Sequence, residues 1–210
     1  MRRQVILKTA AEMLTEMRVA QVSLNELSRR VGLAKSNVLR YFESREAVLL
    51  ELLNSAFKEW LTQLDQDLAV VDPTAPPAER GDQLAAALAL SLASRPVLCD
   101  LISAQASVLE HNLSPKVAAE YKRAAIANAV SLTGLVVEHL GELGDHDAVR
   151  FAAALVMVTG AVWTHAHPSA AMLAAYEADP DLASMRLDFT DTLRQVLEVL
   201  IAGLLARSSR

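Results

Sequence analysis

The 210-residue sequence holds a single cysteine, Cys99, which excludes a disulfide within the chain and fits a reducing compartment. Aromatic residues are scarce at 4%, so a core drawn from the 52% of hydrophobic residues is aliphatic, dominated by Ala, Leu and Val. Glycine and proline number seven each, and β-branched runs bounded by turn residues are missing. That composition favours an all-helical protein. Long apolar runs are also missing. The longest charge-free one, Phe151 to Ala166, falls short of the roughly 20 residues that a membrane span needs. The opening MRRQVILKTAAEML has basic residues but no uninterrupted apolar segment and no small-residue cleavage site. These absences predict a soluble cytoplasmic protein with no membrane partner.

What is present is unevenly placed. The net charge is −5, yet residues 1–48 hold nine Lys and Arg against five Asp and Glu, a balance of +4. Residues 49–210 hold eleven against twenty, a balance of −9. This asymmetry suggests that the N-terminal end meets a polyanion while the remainder stays soluble. Four charges is a small excess, and charge alone decides nothing.

Periodicity and caps divide the chain into about nine helices and no strand. The first spans Arg3 to Arg18, with Ile6, Leu7, Ala10, Ala11, Leu14 and Met17 as one apolar stripe. In SLNE, Ser23 is an N-cap candidate with Glu26 three residues on, the capping-box pattern. Gly32 ends that helix where a positive φ is expected. A third helix covers about Lys35 to Tyr41, and a long fourth, capped by Ser44, about Arg45 to Leu68. The segment 70–82, with Pro73, Pro76 and Pro77, reads as a non-helical connection. Further helices are expected at about 82–94, 96–111, 115–140, 146–166 and 185–206.

Residues 23–41 have the spacing of a helix-turn-helix. Val38 and Phe42 lie one turn apart and face inward onto Leu27 and Val31, which turns Ser36 and Arg40 outward with Asn37 and Leu39 beside them. That outer face has the chemistry of a major-groove reader. Lys35 or Arg40 can donate to guanine O6 and N7, Ser36 can take either role, and Leu39 can meet a thymine methyl. Asn37, Tyr41 and Arg45 suit phosphate oxygens, and Ser23 at a helix N-terminus can hold another.

With these residues in view, AAEMLTEMRVAQVSLNELSRRVGLAKSNVLRYFESREAVLLELL resembles the DNA-binding domain of the tetracycline-repressor (TetR) family. The likeness rests on the Ser23 cap, Leu27, Gly32-Leu33, Lys35, the Tyr41-Phe42 pair and Ser44-Arg45-Glu46 leading into a long helix. It implies an all-α fold, with a three-helix DNA-binding domain at 1–46 and a helical effector-binding and dimerisation domain at 47–210. It also implies a homodimeric bacterial transcription regulator, a repressor released from a palindromic operator by an unknown small molecule. The partners implied are double-stranded operator DNA and a second copy, joined through the helices at 146–166 and 185–206. The sequence departs from the family pattern at Ala34, where Ser often caps the recognition helix. It departs again at Leu39, where Tyr is common, and at Glu43, where a basic residue is common. These departures bear on the operator sequence. A helical interaction module that keeps the fold but no longer reads DNA is the alternative.

The resemblance places an effector site among the later helices. Polar or aromatic residues interrupting apolar stretches there are Trp60, Gln105, Tyr121, Asn128 and Trp163. Each alone is more often a core or surface residue than a ligand contact. No P-loop, dinucleotide fingerprint or nucleophile–base pairing is visible, so no enzyme and no cofactor are expected. His165 and His167 are two apart and point to different sides of a helix, and His111, His139 and His146 are scattered, so no metal site is expected either.

Overall fold

A computed structural model describes residues 2–208. Among these the α-helices are α1 (Arg2–Glu16), α2 (Leu24–Val31), α3 (Lys35–Val38), α4 (Arg45–Asp67), α5 (Pro77–Ala93) and α6 (Pro96–Ala104). There follow α7 (Pro115–His139), α8 (Gly144–Ala166), α9 (Ala170–Ala178), α10 (Pro180–Ala183) and α11 (Phe189–Ser208). The described residues contain no strand, and the all-α expectation holds.

Three short helices form the N-terminal unit. Ile6, Ala10 and Met13 of α1 are fully buried against Leu27 of α2 and Val38 of α3. Long α4 leaves this unit and continues into the larger body, carrying the buried Leu49, Leu53, Phe57, Trp60 and Leu64. There α8 is sandwiched by α6, α7 and α11, and α11 lies along α5. The α5–α11 approach is close enough that a Cβ at Gly81 would sit 2.7 Å from Ile201 Cγ2. Glycine is required there by space rather than by conformation.

Two boundaries differ from the periodicity. Helix α5 begins at Pro77 rather than near 82, because a proline at the first helical position has its φ already set and no amide hydrogen to lose. The Ala-rich stretch 170–178 is helical as well. It is capped by Ser169 and favoured by alanine propensity, though α9 and α10 bury no residue.

Helix α8 is apolar nearly all round and has neighbours on three sides only. Its fourth side leaves Val149, Ala153 and Met157 exposed, and Val199 of α11 beside it is 73% exposed. The apolar stripe expected in the last helix is therefore divided. Phe189, Leu193, Leu197 and Ile201 are buried, whereas Val196, Leu200 and Leu204 are only half-buried. The stretch Gly141–Ala166 is apolar and long enough to cross a membrane by length and composition. Here it packs against α6, α7 and α11 on three sides.

Candidate nucleic-acid interface and internal cavity

The exposed end of the N-terminal unit is fixed by local chemistry. Ser23 caps α2, its Oγ accepting from the Glu26 amide at 3.1 Å. The return half of the capping box is not made. The Glu26 carboxylate instead accepts from Arg29 and Arg30 at 2.7–2.8 Å, and these hydrogen bonds pull its pKa down to about 2. Arg30 also reaches Glu16, tying α2 to α1. Gly32 ends α2 at φ +71°, in the left-handed region, with its amide donating back to Arg29 and Ser28 carbonyls.

Helix α3 is shorter than the expected 35–41. Its regular ladder ends at the Leu39 amide bonded to Lys35 O, and the amides of Tyr41 and Phe42 both turn to Val38 O at 2.9 and 3.2 Å. The tightening seats Phe42, 4% exposed, in the core while Val38 stays fully buried. Ala34 occupies the cap position with extended backbone (ψ 145°) and no side-chain hydrogen bond. Ala34→Ser keeps this backbone and adds the missing acceptor. It should stabilise the protein by about 1 kcal/mol, read as a rise of about 2–4 °C in thermal midpoint. An unchanged midpoint would show that the α3 amides are already satisfied.

Lys35, Ser36, Leu39, Arg40 and Tyr41 are exposed on one end of the molecule, with Asn37 half-buried among them. Among the described residues the side chains of Lys35, Ser36, Asn37, Arg40 and Tyr41 make no hydrogen bond. Ser23 is exposed as well, with its hydroxyl engaged as the cap. Arg45 is placed differently. It is part-buried, donating through Nη1 to Val22 O and through Nε to Glu46 Oε1, each at 3.0 Å. Glu43 faces away from the exposed end: its Oε1 accepts the Ser114 amide at 2.6 Å, at the cap of α7. Hydrogen bonds from the Ser114 amide and hydroxyl hold the Glu43 carboxyl below its ordinary range.

A second fastening joins the two units on the other side. Asp100 of α6 accepts the Val19 amide at 2.7 Å and the Trp163 indole N–H at 3.4 Å, while Arg18 donates to His167 O at 2.8 Å. Trp163 is thereby held between His167, with ring centroids 3.8 Å apart, and Phe189, edge-on at 5.0 Å.

In the larger body a partly open cavity of about 240 Å³ lies among α4, α7, α8 and Gln105, with Ala129, Ala153 and Met157 at its exposed side. Leu53, Phe57, Leu132, Val156 and Met157 make it apolar, and its polar groups are Asn54, Gln105, Tyr121 and Asn128. Gln105 opens a single turn of π-helix, Gln105–Leu109, a local irregularity that recurs at functional sites. Three of the five candidate ligand residues, Gln105, Tyr121 and Asn128, thus converge on one hollow. Trp60 and Trp163 do not line it: Trp60 is in the core behind Phe57, and Trp163 borders a surface hollow with Asp100 and His167. Asn54 escapes a sequence reading, although it stands four residues after Leu50 and three before Phe57, in a register otherwise apolar.

Two larger hollows are more open. One of about 680 Å³ runs between α1, α4 and the start of α6; one of about 510 Å³ is the cleft between the N-terminal unit and α7. Asn54 and Tyr121 line both that cleft and the inner cavity. Cys99 is fully buried, and burial pushes its thiol up to about 12. Among the described residues no three His, Cys, Asp or Glu cluster in a way that could hold a metal ion.

Residues 6–52 match the profile of bacterial regulatory proteins of the tetR family, and residues 54–208 match that of the tetracyclin repressor-like C-terminal domain. No curated protein matches the chain. Among solved structures it is similar to a possible TetR family transcriptional regulator from Streptomyces coelicolor A3(2). The TM-score is 0.63 at 18% identity, covering 99% of this chain and 100% of the other. It is also similar to a TetR transcriptional regulator from Rhodococcus sp. RHA1, with TM-score 0.55, 18% identity and coverage of 100% and 97%. A third is the transcriptional regulator FadR from Bacillus subtilis in complex with stearoyl-CoA, with TM-score 0.57, 15% identity and coverage of 95% and 98%. At these identities the structural likeness is one of fold.

Proposed function

The chain belongs to the tetracycline-repressor family of bacterial regulatory proteins, and from that premise we propose that it is a homodimeric repressor released from a palindromic operator by a small molecule. The observation that carries the reading is the exposed end of α3. Lys35 and Ser36 on α3, and Arg40 in the turn that follows, stand there without partners among the described residues, on a segment anchored by Val38 and Phe42. Backbone amides at a helix N-terminus, short polar side chains and two cations suit a major groove and its phosphates. In this reading residues 1–46 read DNA and residues 47–210 bind effector and pair the subunits in the cytoplasm, with no catalytic step.

A two-fold operator needs two reading heads, roughly 34–36 Å apart for neighbouring major grooves. The open sides of α8 and α11, with Val149, Met157 and Val199 exposed, supply the apolar face for the second copy. The inner cavity supplies the effector site. Because Tyr121 and Asn54 also line the cleft beside the Glu43–Ser114 bond, a ligand that displaces them favours a different setting of the reading head. DNA then favours the other setting, and the two ligands oppose each other by linkage. Stearoyl-CoA, present in the FadR structure, is not carried over: the lining of this cavity contains no cation for its phosphates.

Fluorescence anisotropy with the DNA upstream of the gene, at two salt concentrations, tests the reading. Expected is sequence-preferring binding that weakens steeply with salt. Equal affinity for unrelated DNA would favour instead a module that keeps the fold without specific recognition.

A further inference from the structure

The cavity among α4, α7 and α8 has a chemistry of its own. It is small, about 240 Å³, against the roughly 300–1,000 Å³ of drug-sized sites. Its lining contains no Asp, Glu, Lys, Arg or His. Beyond the lining, Glu110 accepts from Gln105 Nε2 at 3.1 Å and from Lys122 Nζ at 2.7 Å, and the Lys122 ammonium lies 5.4 Å from the centre of the Tyr121 ring. An anion entering the cavity would meet no cation in the lining, and the Lys122 charge beside it is already paired with Glu110. A cation would have only aromatic faces and carbonyls in exchange for its hydration. Either charge would give up part of its hydration with no opposite charge in the lining to replace it.

The polar groups that are present are neutral and incompletely paired. Asn128 Nδ2 donates to Asn54 Oδ1 at 3.0 Å, one hydrogen bond between two amides. The Asn54 amide N–H groups and the Asn128 carbonyl have no partner among the described residues. Asn128 is 8% exposed, and the pair offers one donor beside one acceptor in the cavity lining. The Tyr121 hydroxyl, pushed well above its ordinary pKa by burial, adds a second donor at neutral pH.

We propose that this cavity takes an uncharged, compact, mainly apolar molecule with a hydrogen-bond donor next to an acceptor, as in a neutral amide or lactam, and discriminates against carboxylates and ammonium ions. The assignment rests on the reading of this cavity as the effector site. The ligand's polar end would complete the Asn54–Asn128 pair, and its apolar body would lie against Phe57, Leu132 and Val156.

Three probes with one shared ring separate charge from shape: benzamide, benzoate and benzylammonium. Calorimetric titration into the full chain should show benzamide bound roughly tenfold or more tightly than either ion, a difference of about 1.4 kcal/mol per factor of ten. Asn128→Leu, matched by Asn54→Leu should the first variant melt early, removes the donor–acceptor pair. It should abolish the preference for benzamide. Ala125→Phe, on the half-buried rim, fills the hollow and should abolish all binding. Benzoate or benzylammonium bound as tightly as benzamide, with binding still lost in Ala125→Phe, overturns the ligand class and leaves the cavity as the site. Binding indifferent to Ala125→Phe, or no binding by any probe, overturns the cavity as the site and the ligand class with it.

Discussion

Replacing both Lys35 and Arg40 by alanine should weaken operator binding by roughly 2–6 kcal/mol, with each residue contributing about 1–3 kcal/mol if it reaches a base edge. Folding stability should barely move, within about 0.5 kcal/mol, since both side chains are exposed and neither makes a hydrogen bond among the described residues. Alanine also suits the short helix. Anisotropy measured across a salt series adds a second reading. Residues that hold phosphates should lower the salt slope by about one each, whereas base readers should relax sequence preference. Arg45→Ala should behave differently. Its guanidinium ties Val22 O to the buried Glu46, so its removal should cost about 1–3 kcal/mol of stability, and any loss of DNA affinity then mixes folding with recognition. If the Lys35/Arg40 double variant bound its operator within twofold of the parent, α3 would not be the reading helix.

This contrast between Lys35 and Arg45 marks where the sequence is readable. The Ser23 and Ser44 caps follow from side chains acting on backbone within three residues, the Gly32 stop from the φ that only a residue without a side chain adopts freely, and the structure forms all three. Val38 and Phe42 follow from helical spacing. The partner of Arg45 is a carbonyl 23 residues away, which no local pattern encodes. Glu43 likewise reads as a flaw beside DNA, until the fold brings the cap of α7 to within 2.6 Å of its carboxylate. Residues 167–184 fall between the expected helices, with Pro168 and Pro180 interrupting them; alanine propensity makes α9 helical all the same, without any burial. The cavity is the least readable feature. Apolar periodicity marks α4, α7 and α8 as inward-facing but carries no information on where three inward faces fail to meet. The register of Asn54 with Leu50 and Phe57 marks it as inward-facing but carries no information that it faces a hollow rather than a packed neighbour.

Trp60→Ala should destabilise the protein by about 3–5 kcal/mol, a large part of the roughly 5–15 kcal/mol typical of a folded domain. The side chain is 1% exposed, packs edge-on against Phe57 at 5.0 Å, and donates its indole N–H to Ser91 Oγ at 3.0 Å. Ser91 in turn donates to Asp67 at 2.5 Å, and Arg95 closes the group through Asp67 at 3.3 Å. Trp60 therefore lies behind the cavity wall rather than in it, and truncation removes both the packing and one member of a buried polar chain. Trp60→Phe separates these roles. It keeps a ring against Phe57 and removes the donor, which should cost about 1 kcal/mol for the hydrogen bond plus a smaller packing loss. Urea unfolding can be followed by the fluorescence of Trp163, the second of the two tryptophans. A residue that contacts the effector would shift the affinity for benzamide while leaving the urea midpoint nearly unchanged. A core residue does the reverse, and the burial of Trp60 predicts that outcome: a lower midpoint, with benzamide bound within twofold of the parent.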